Sequence, residues 1–173
     1  GERWRSFDYS SIEYRLLAHY AVGEGAKEIR AIYAADPDAD YHAIVGALIE
    51  KLTGLVLDRG KVKTINFGII YGMALNALFN IERKSTHKAL NRKLQGSAAD
   101  VMKKAMVEAY EAGLFEEDAC GMPILTVHDE LDFEDKGDLD NPAWEALRHI
   151  MENCMGGLLK VPLRVDSGVG PTW

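Results

Sequence analysis

The chain has 173 residues, of which 47% are hydrophobic, enough for one ordinary domain with a sizeable core. No apolar run approaches the roughly 20 residues that a membrane-spanning helix needs, and no charged-then-apolar leader opens the sequence, so we expect neither a membrane partner nor secretion. The formal net charge of −7 argues against binding nucleic acid over the whole surface, although residues 81–93 concentrate five Lys and Arg.

The first stretch predicts a strand followed by a helix. The run RWRSFDYS is typical of a short strand because aromatic and Arg residues precede its aspartate. Ser10 or Ser11 then caps the helix IEYRLLAHYA. Gly23 and Gly25 interrupt the helical pattern after it.

Two further helices follow, each with a cap and a stop. The first runs from a cap at Asp40 to Gly54, and the second runs from a cap at Asp58 to Gly72. The spacing predicts that the first of them turns these residues inward: Ile44, Val45, Leu48, Ile49 and Leu52.

The next stretch predicts a long helix and a hairpin. The helix begins near Asn91, or restarts at Ser97 with a capping-box spacing, and runs to Gly113. The run MPILTVHDELDFE contains two alternating stretches joined at His128 and Asp129, which is typical of a β-hairpin.

A capped helix and a strand close the chain. Asn141 caps the helix, Pro142 occupies its first turn and Gly156 follows its end. Its inner stripe consists of Trp144, Leu147, Met151 and Cys154. The two cysteines lack the spacing of a zinc site, which favours buried thiols in a reducing, cytoplasmic setting. Few strands and many flanking helices predict the α+β class.

Four acidic residues lie at positions that come together if the first strand pairs with the hairpin. Asp8 ends the first strand, Glu13 lies one turn into its helix, and Asp129 and Glu130 occupy the hairpin turn. Taken singly, Asp8 is typical of a helix start and the paired acids are typical of a solvated turn. If Asp8 and Asp129 converge, divalent ions relieve their repulsion, and hard oxygen ligands favour Mg²⁺. Two such ions clamp an in-line phosphoryl displacement.

A second candidate site lies on the helix that follows Asp58. Arg59, Lys63, Phe67 and Tyr71 recur every four residues and therefore drift only slowly off one face. Cations at a helix N-terminus bind polyanions with help from the dipole and free amides, and aromatic rings stack on bases. A nucleoside triphosphate has the same order of charge and ring. The alternative is a solvated Arg and Lys edge with aromatic residues in the core.

Together these stretches resemble the motifs of the family A DNA polymerases. DYSSIEYRLLAH resembles motif A, RGKVKTINFGIIYG motif B and VHDE motif C, and LQGSAAD (94–100) matches a segment between B and C. The resemblance implies a palm-type antiparallel sheet flanked by helices, at residues 1–30 and 91–173, with a partial helical fingers subdomain at 31–90. DADYHAIV and the closing residues are more similar to viral than to cellular members.

The resemblance implies template-directed DNA synthesis, in which a deoxynucleoside triphosphate is joined to a primer 3′-hydroxyl with two Mg²⁺ ions as cofactors. Asp8 and Asp129 are implied as the metal-binding carboxylates, assisted by the backbone carbonyl of Tyr9. Glu130 is implied to support them, and Lys63 to donate a proton to the departing pyrophosphate.

Nucleotide and DNA contacts are implied as well. Arg59 and Lys63 hold the triphosphate, Phe67 stacks near the incoming sugar and base, and Tyr71 guards the template position. Glu13 is the steric gate, because its carboxylate fills the space that a ribose 2′-hydroxyl needs. Minor-groove contacts to the primer–template fall to Gln95, Asn91 and His128.

The resemblance is incomplete between Met73 and Gln95, where the family carries several dozen more residues than this chain. Nothing resembling a thumb precedes Gly1, so we expect weak duplex binding unless missing segments or an accessory protein complete it. Two alternatives stay open. One is a single-subunit RNA polymerase-like palm, which Glu13 and Phe67 disfavour, and the other is a non-catalytic remnant that binds nucleotide or DNA.

Overall fold

The computed structural model describes residues 3–70, 86–135 and 141–171. Its elements in chain order are β1 (Arg3–Tyr9), α1 (Ile12–Tyr20), α2 (Glu24–Ala35), α3 (Tyr41–Thr53), α4 (Arg59–Ile70), α5 (Thr86–Glu111), β2 (Leu125–Val127), β3 (Glu130–Asp135), α6 (Pro142–Asn153) and β4 (Val165–Gly170). This is the α+β mixture that the sequence predicted. Among the described residues, no helix combines the length and apolar character needed to cross a membrane.

The chain divides into two compact units. The first unit combines Gly1–Pro37 with Ser97–Trp173, and the second is Asp38–Gly96. The first contains the whole sheet, with the strand order β2-β3-β1-β4 and antiparallel pairing throughout. The described part of the second unit is helical.

Alternation along β1 gives the sheet one covered face and one open face. Phe7 and Tyr9 are buried, whereas Asp8 between them is exposed. Because successive side chains of a strand point to opposite faces, the apolar side packs on the helices while Asp8 lies on the other side. The alternation in the sequence therefore fixes which face can carry chemistry.

An aromatic cluster anchors the covered face. The ring of Phe7 lies 6.1 Å from that of Phe133 and 6.0 Å from that of Trp144, measured between centroids. The Tyr9 hydroxyl donates a hydrogen bond of 2.7 Å to the carbonyl oxygen of Met151. Trp144 and Met151 belong to the predicted inner stripe of α6, all four members of which are buried. The predicted N-cap is confirmed as well, since Asn141 accepts from the amide of Ala143.

The caps of α3 are confirmed, but its predicted inner face is wrong. Asp40 accepts from the amide of His42 at 2.9 Å, and Gly54 ends the helix with φ 74°. Leu48 and Leu52 are 51% and 73% exposed, and Ile44, Val45 and Ile49 are only half-buried. Instead, His42 and Gly46 lie towards α4, where a Cβ on Gly46 would come within 3.4 Å of the Val62 side chain. The contact between α3 and α4 therefore involves Gly46 rather than the predicted apolar stripe of α3.

Two further helices differ from the predictions. The sequence did not predict α2, because Gly23 and Gly25 interrupt the helical pattern. Gly23, with φ 98°, is in fact the N-cap of α2, and Gly25 lies in its first turn, where glycine costs little. α5 begins at Thr86, earlier than predicted. Ser97 therefore lies inside α5 and does not cap it. Its hydroxyl oxygen is 2.8 Å from the hydroxyl oxygen of Tyr20.

Arg15 fastens α1 to two loops of the first unit. Its guanidinium donates to the carbonyl oxygens of Ser10, Pro162 and Pro37 at 2.8, 2.8 and 2.9 Å, and Arg15 is 2% exposed.

We predict that Arg15→Leu lowers the free energy of unfolding by about 3 kcal/mol, because three half-buried carbonyl groups lose their donor. Urea denaturation measures this loss. Arg92→Leu, at an exposed position of α5, should stay within about 0.5 kcal/mol of the wild type. An equal effect of the two substitutions would contradict the anchoring role.

Candidate active site

The register of β1 gathers acidic side chains at one end of the sheet. Asp8 lies opposite Glu130 on β3 and opposite Asp166 on β4. The amide of Tyr9 donates to the carbonyl oxygen of Asp129 at 3.2 Å, so the hairpin turn abuts the end of β1. The predicted convergence of Asp8 with the turn is therefore confirmed, although the two lie far apart in the chain.

The hairpin turn has the shortest length that joins two antiparallel strands. Val127 pairs with Glu130, which leaves His128 and Asp129 as the connecting residues. His128 has φ 55°, a left-handed conformation that Asn or Gly usually supplies in such turns. The chain thus places an imidazole and a carboxylate where a purely structural turn would use small residues.

Burial and like charge together change the titration of Asp8. Although the residue is exposed overall, partial burial of its carboxyl group, followed by the carboxylates of Asp129, Glu130, Asp166 and Asp132, raises its pKa to about 6. Each neighbour disfavours the ionised form by Coulomb repulsion, and partial removal from water acts in the same direction. The group is still mostly ionised at neutral pH, so the repulsion persists in the folded protein.

The pKa values of Asp129 and Glu130 shift in the same direction as that of Asp8. Burial raises the pKa of Asp129, against a backbone hydrogen bond and the nearby His128 imidazole, which lower it. Burial and Asp132 raise the pKa of Glu130, while a hydrogen bond from the Ser6 hydroxyl lowers it. We name Asp8, Asp129 and Glu130 the carboxylate cluster.

The carboxylate cluster fits a magnesium ion by the chemistry of its donors. Mg²⁺ is commonly held by one or two carboxylates together with substrate phosphates and water, rather than by a complete protein cage. Within the described residues, no three His, Cys, Asp or Glu side chains are arranged as a ready-made metal site. The cluster supplies part of a coordination shell and an excess of negative charge.

Two carboxylates near the site were missed in the sequence. Asp132 is fully buried on β3, two residues beyond Glu130 on the same face, and the alternation of Glu130, Asp132 and Glu134 was a usable signal. Asp166 is exposed on β4 and faces Asp8 only because β4 pairs with β1. That pairing is tertiary, and nothing local in the sequence indicates it.

The predicted triphosphate residues lie on α4 in the second unit. Arg59 is 63% exposed at its side chain and donates to the Asp40 carboxylate at 2.6 Å. The Asp58 carboxylate accepts from the amide of Lys61 at 3.0 Å, as expected of a cap. One first-turn amide is therefore engaged by the cap. Anion binding by the remaining amides and the two cations stays a prediction.

Further along α4 the cation and the ring lie together. The ammonium group of Lys63 is 5.8 Å from the centroid of the Phe67 ring, which is within cation–π range. The inner side of the same helix is held by Asn66, whose side-chain nitrogen lies 3.0 Å from Nδ1 of the buried His42. Val62 and Asn66 are buried whereas Lys63 is exposed, so one side of α4 is packed and another is open.

The remaining predicted residues lie in three places. Glu13 occupies the first turn of α1 and is half-buried. Gln95 is exposed on α5, and Asn91 is half-buried, with a side-chain oxygen that accepts no hydrogen bond from the described residues. Tyr71 lies outside the described residues.

Comparison with known proteins gives consistent matches. Residues 1–81 and 76–173 match the sequence profile of DNA polymerase family A. The DNA polymerase I of Pseudomonas aeruginosa is 29% identical over 237 residues, which cover 100% of this chain and 25% of that protein. That of Rhizobium leguminosarum is 31% identical over 244 residues, covering 100% and 23%. A solved structure, the POL domain of Pol1 from M. smegmatis in complex with DNA primer-template and dNTP, superposes with a TM-score of 0.71 and 25% identity, covering 99% of this chain and 40% of that one.

The same matches show that the relatives are longer than this chain. It spans about a quarter of the length of the curated relatives that it matches. The alignment of 237 residues is longer than the chain of 173, so the relatives carry residues without a counterpart. The profile matches in two segments that overlap at residues 76–81, within the stretch where the sequence predicted a shortened segment. The relatives named here are bacterial, so the similarity to viral members stays a prediction.

The raised pKa of Asp8 predicts a pH-dependent cost of folding. Its pKa rises from 3.8 to about 6, so the folded state binds the proton more tightly, and stability falls as the pH rises between those values. Without divalent ions, Asp8→Asn should therefore be more stable than the wild type at pH 7. The expected gap is about 1 kcal/mol after allowance for solvent screening, and it should vanish near pH 4. Chemical denaturation in EDTA across this pH range measures it.

Asp58 provides a control of opposite sign. Hydrogen bonds from the Lys61 amide and ammonium lower its pKa, so its ionised form stabilises the fold. Asp58→Asn should accordingly be less stable than the wild type at pH 7. A stability gap for Asp8→Asn that does not change with pH would rule out charge repulsion as its origin.

Proposed function

The chain belongs to DNA polymerase family A, and we propose that it carries the catalytic centre of a DNA-directed DNA polymerase, a nucleotidyltransferase that extends a primer on a DNA template. The observation that carries the proposal is the convergence of the acids: Asp8 pairs with Glu130 across the sheet, and the Tyr9 amide bonds to the backbone of Asp129. We further propose that the first unit is the palm and that the second is part of the fingers.

In this proposal, Asp8 and Asp129 hold divalent ions, with the Tyr9 carbonyl as a further ligand. Two bound Mg²⁺ ions would supply the lowered pKa of the primer hydroxyl and the charge that steadies the leaving oxygens. Glu130 keeps its carboxylate oriented through the hydrogen bond from Ser6 and adds negative charge beside the ligands. Pre-positioned strands supply these groups without a rearrangement of the backbone.

The α4 side chains are proposed to bind the triphosphate. Arg59 would exchange its contact with Asp40 for the phosphates, which costs little because the pair is exposed. Lys63 would hold the phosphates and donate a proton to the departing pyrophosphate, from a position over the Phe67 ring. Phe67 would then stack on the sugar and base, and Tyr71 would guard the template position.

Selection of the sugar and contact with the duplex involve other residues. Glu13 is proposed as the gate that excludes a ribose 2′-hydroxyl. Asn91, Gln95 and His128 are proposed to contact the minor groove, where acceptors occupy similar places in all base pairs, so that pairing is checked without reading sequence. Asn91 and Gln95 each carry a side-chain NH₂ group, which can donate to such acceptors.

A second candidate is a non-catalytic remnant that binds nucleotide or DNA. One observation favours it: the relatives carry residues that this chain lacks, and the profile match falls into two segments, 1–81 and 76–173. A single-subunit RNA polymerase-like palm is the third possibility, and the family match disfavours it.

Primer extension by the intact chain separates these functions. With Mg²⁺, low salt and deoxynucleoside triphosphates, we predict extension that Asp129→Asn reduces at least about a hundredfold, since even outer partners of metal ligands are worth 10- to 100-fold. Glu134→Gln, four residues along the same hairpin from Glu130, should extend normally. Normal binding of a deoxynucleoside triphosphate without any extension would favour the remnant.

Thermal unfolding gives a readout that does not depend on turnover. Mg²⁺ at concentrations well above its Kd should raise the Tm of the wild type, because a ligand of the folded state stabilises it. Asp8→Asn and Asp129→Asn should lose most of this response. An undiminished response in both variants would place the ion elsewhere.

The gate assignment has a separate test. We predict that Glu13→Ala raises incorporation of ribonucleotides relative to deoxyribonucleotides by at least about tenfold, because the space for the 2′-hydroxyl opens. Glu13→Gln, which keeps the volume, should retain most of the selection. Unchanged sugar preference in the alanine variant, measured as the ratio of kcat/KM values, would refute the gate.

A further inference from the structure

A cavity of ≈ 470 Å³ lies in the first unit, away from the carboxylate cluster. Its walls come from the loop after α5, the far end of β3 and the start of α6. Glu134 lines it, and this residue is four positions along β3 from Glu130, roughly 13 Å at the rise of a strand. The cavity therefore belongs to the other end of the sheet.

One wall of the cavity is apolar and open. Phe115 and Trp144 form its buried floor, while Met122 and Ile124 at its rim are 65% and 55% exposed. The volume lies within the range of roughly 300–1,000 Å³ that is typical of ligand pockets. Together with the cavity, these two exposed side chains offer an apolar surface to a ligand.

The cavity is also lined by exposed carboxylates, those of Glu117, Asp118 and Glu134. A fourth acid, Asp135, differs because the buried Arg5 guanidinium donates to it at 3.0 and 3.1 Å. Arg5 is thereby engaged within the protein, which leaves the three exposed carboxylates as the charge that a ligand would meet.

A hydrogen bond holds the loop that lines the cavity in place, and the thiol in that loop stays uncharged. The Asn141 side chain donates to the carbonyl oxygen of Ala119 at 3.0 Å and so ties the loop to the start of α6. Burial raises the pKa of the Cys120 thiol to about 12, so the cysteine in the cavity wall stays protonated. A phosphate-bearing ligand, whether nucleic acid or anionic lipid, would be repelled here.

The edge of the sheet passes the rim of the cavity. β2 is the outermost strand in the order β2-β3-β1-β4 and begins directly after Ile124. Leu125, its first residue, is 37% exposed. Edge strands present backbone groups that an extended peptide can pair with, and the side chains of such a peptide alternate between two sides.

We propose that this cavity binds an extended segment of a partner protein in which basic and apolar side chains alternate. The apolar side chains fill the cavity between Met122, Ile124 and Trp144, while the basic ones face Glu117, Asp118 and Glu134. The match is one of charge and shape and does not depend on the proposed polymerase function. It gives the palm-like unit a protein-docking site distant from its catalytic residues.

A labelled peptide tests the proposal on the intact chain. The probe is a fluorescein-labelled peptide of alternating Leu and Arg, followed by fluorescence anisotropy at physiological salt. Combining Glu117→Gln, Asp118→Asn and Glu134→Gln should weaken its binding about tenfold. An equal change of charge elsewhere, Glu28→Gln with Glu50→Gln and Glu111→Gln, should leave binding within about twofold of the wild type.

The apolar wall has its own control. A peptide of alternating Ser and Arg carries the same charge and should bind at least about tenfold more weakly to the wild type. Met122→Ser, at an exposed position that does not disturb the core, should weaken the Leu–Arg peptide but not the Ser–Arg peptide. Equal binding of the two peptides, or an equal loss in both sets of charge variants, would overturn the proposal.

Discussion

The pairing of β1 with β3 is the constraint on which the candidate site depends. One face of these strands is locked by Phe7, Phe133 and Trp144, whose rings pack 5.5–6.1 Å apart. A slip of one residue would move every side chain to the other face, so burying these rings also fixes the position of Asp8 opposite Glu130. The apolar core therefore determines, through the period of the strand, that like charges meet at the end of the sheet.

That arrangement costs stability, and the rest of the unit has to offset it. Burial and repulsion raise the pKa of Asp8 to about 6, which means that its ionised form is disfavoured in the folded state. Elsewhere in the same unit, Arg5 is paired with Asp135, and Arg15 donates to three carbonyl oxygens. Like charges held together at one end of a sheet, at a cost in stability, are typical of a site kept for function rather than for folding.

Local signals in the sequence were sufficient for much of this structure. The alternation around β1 and the hairpin, and the caps of α3 and α6, depend on residues near in sequence and were predicted. Packing between elements was not. Leu48 and Leu52 share a helical face as expected, but that face is exposed. The face that contains Gly46 approaches α4 instead, where a side chain on Gly46 would meet Val62. Asp166 was missed for the same reason, because the pairing of β4 with β1 brings it to Asp8. The family motifs predicted the candidate site, whereas the roles of its residues stay predictions.

The charge of the carboxylate cluster explains why such a site suits a reaction with a charged substrate. With a pKa of about 6, Asp8 is mostly ionised at neutral pH, so protonation does not remove the repulsion. A permanent Lys or Arg would remove it, but would also occupy the space that reactants need. The described residues contain no ready-made metal cage. In the proposed function, ions that arrive with phosphate oxygens would supply both the missing charge and the missing ligands. The cluster would then be neutralised only while substrate is bound, which would couple relief of the repulsion to assembly of the reacting complex.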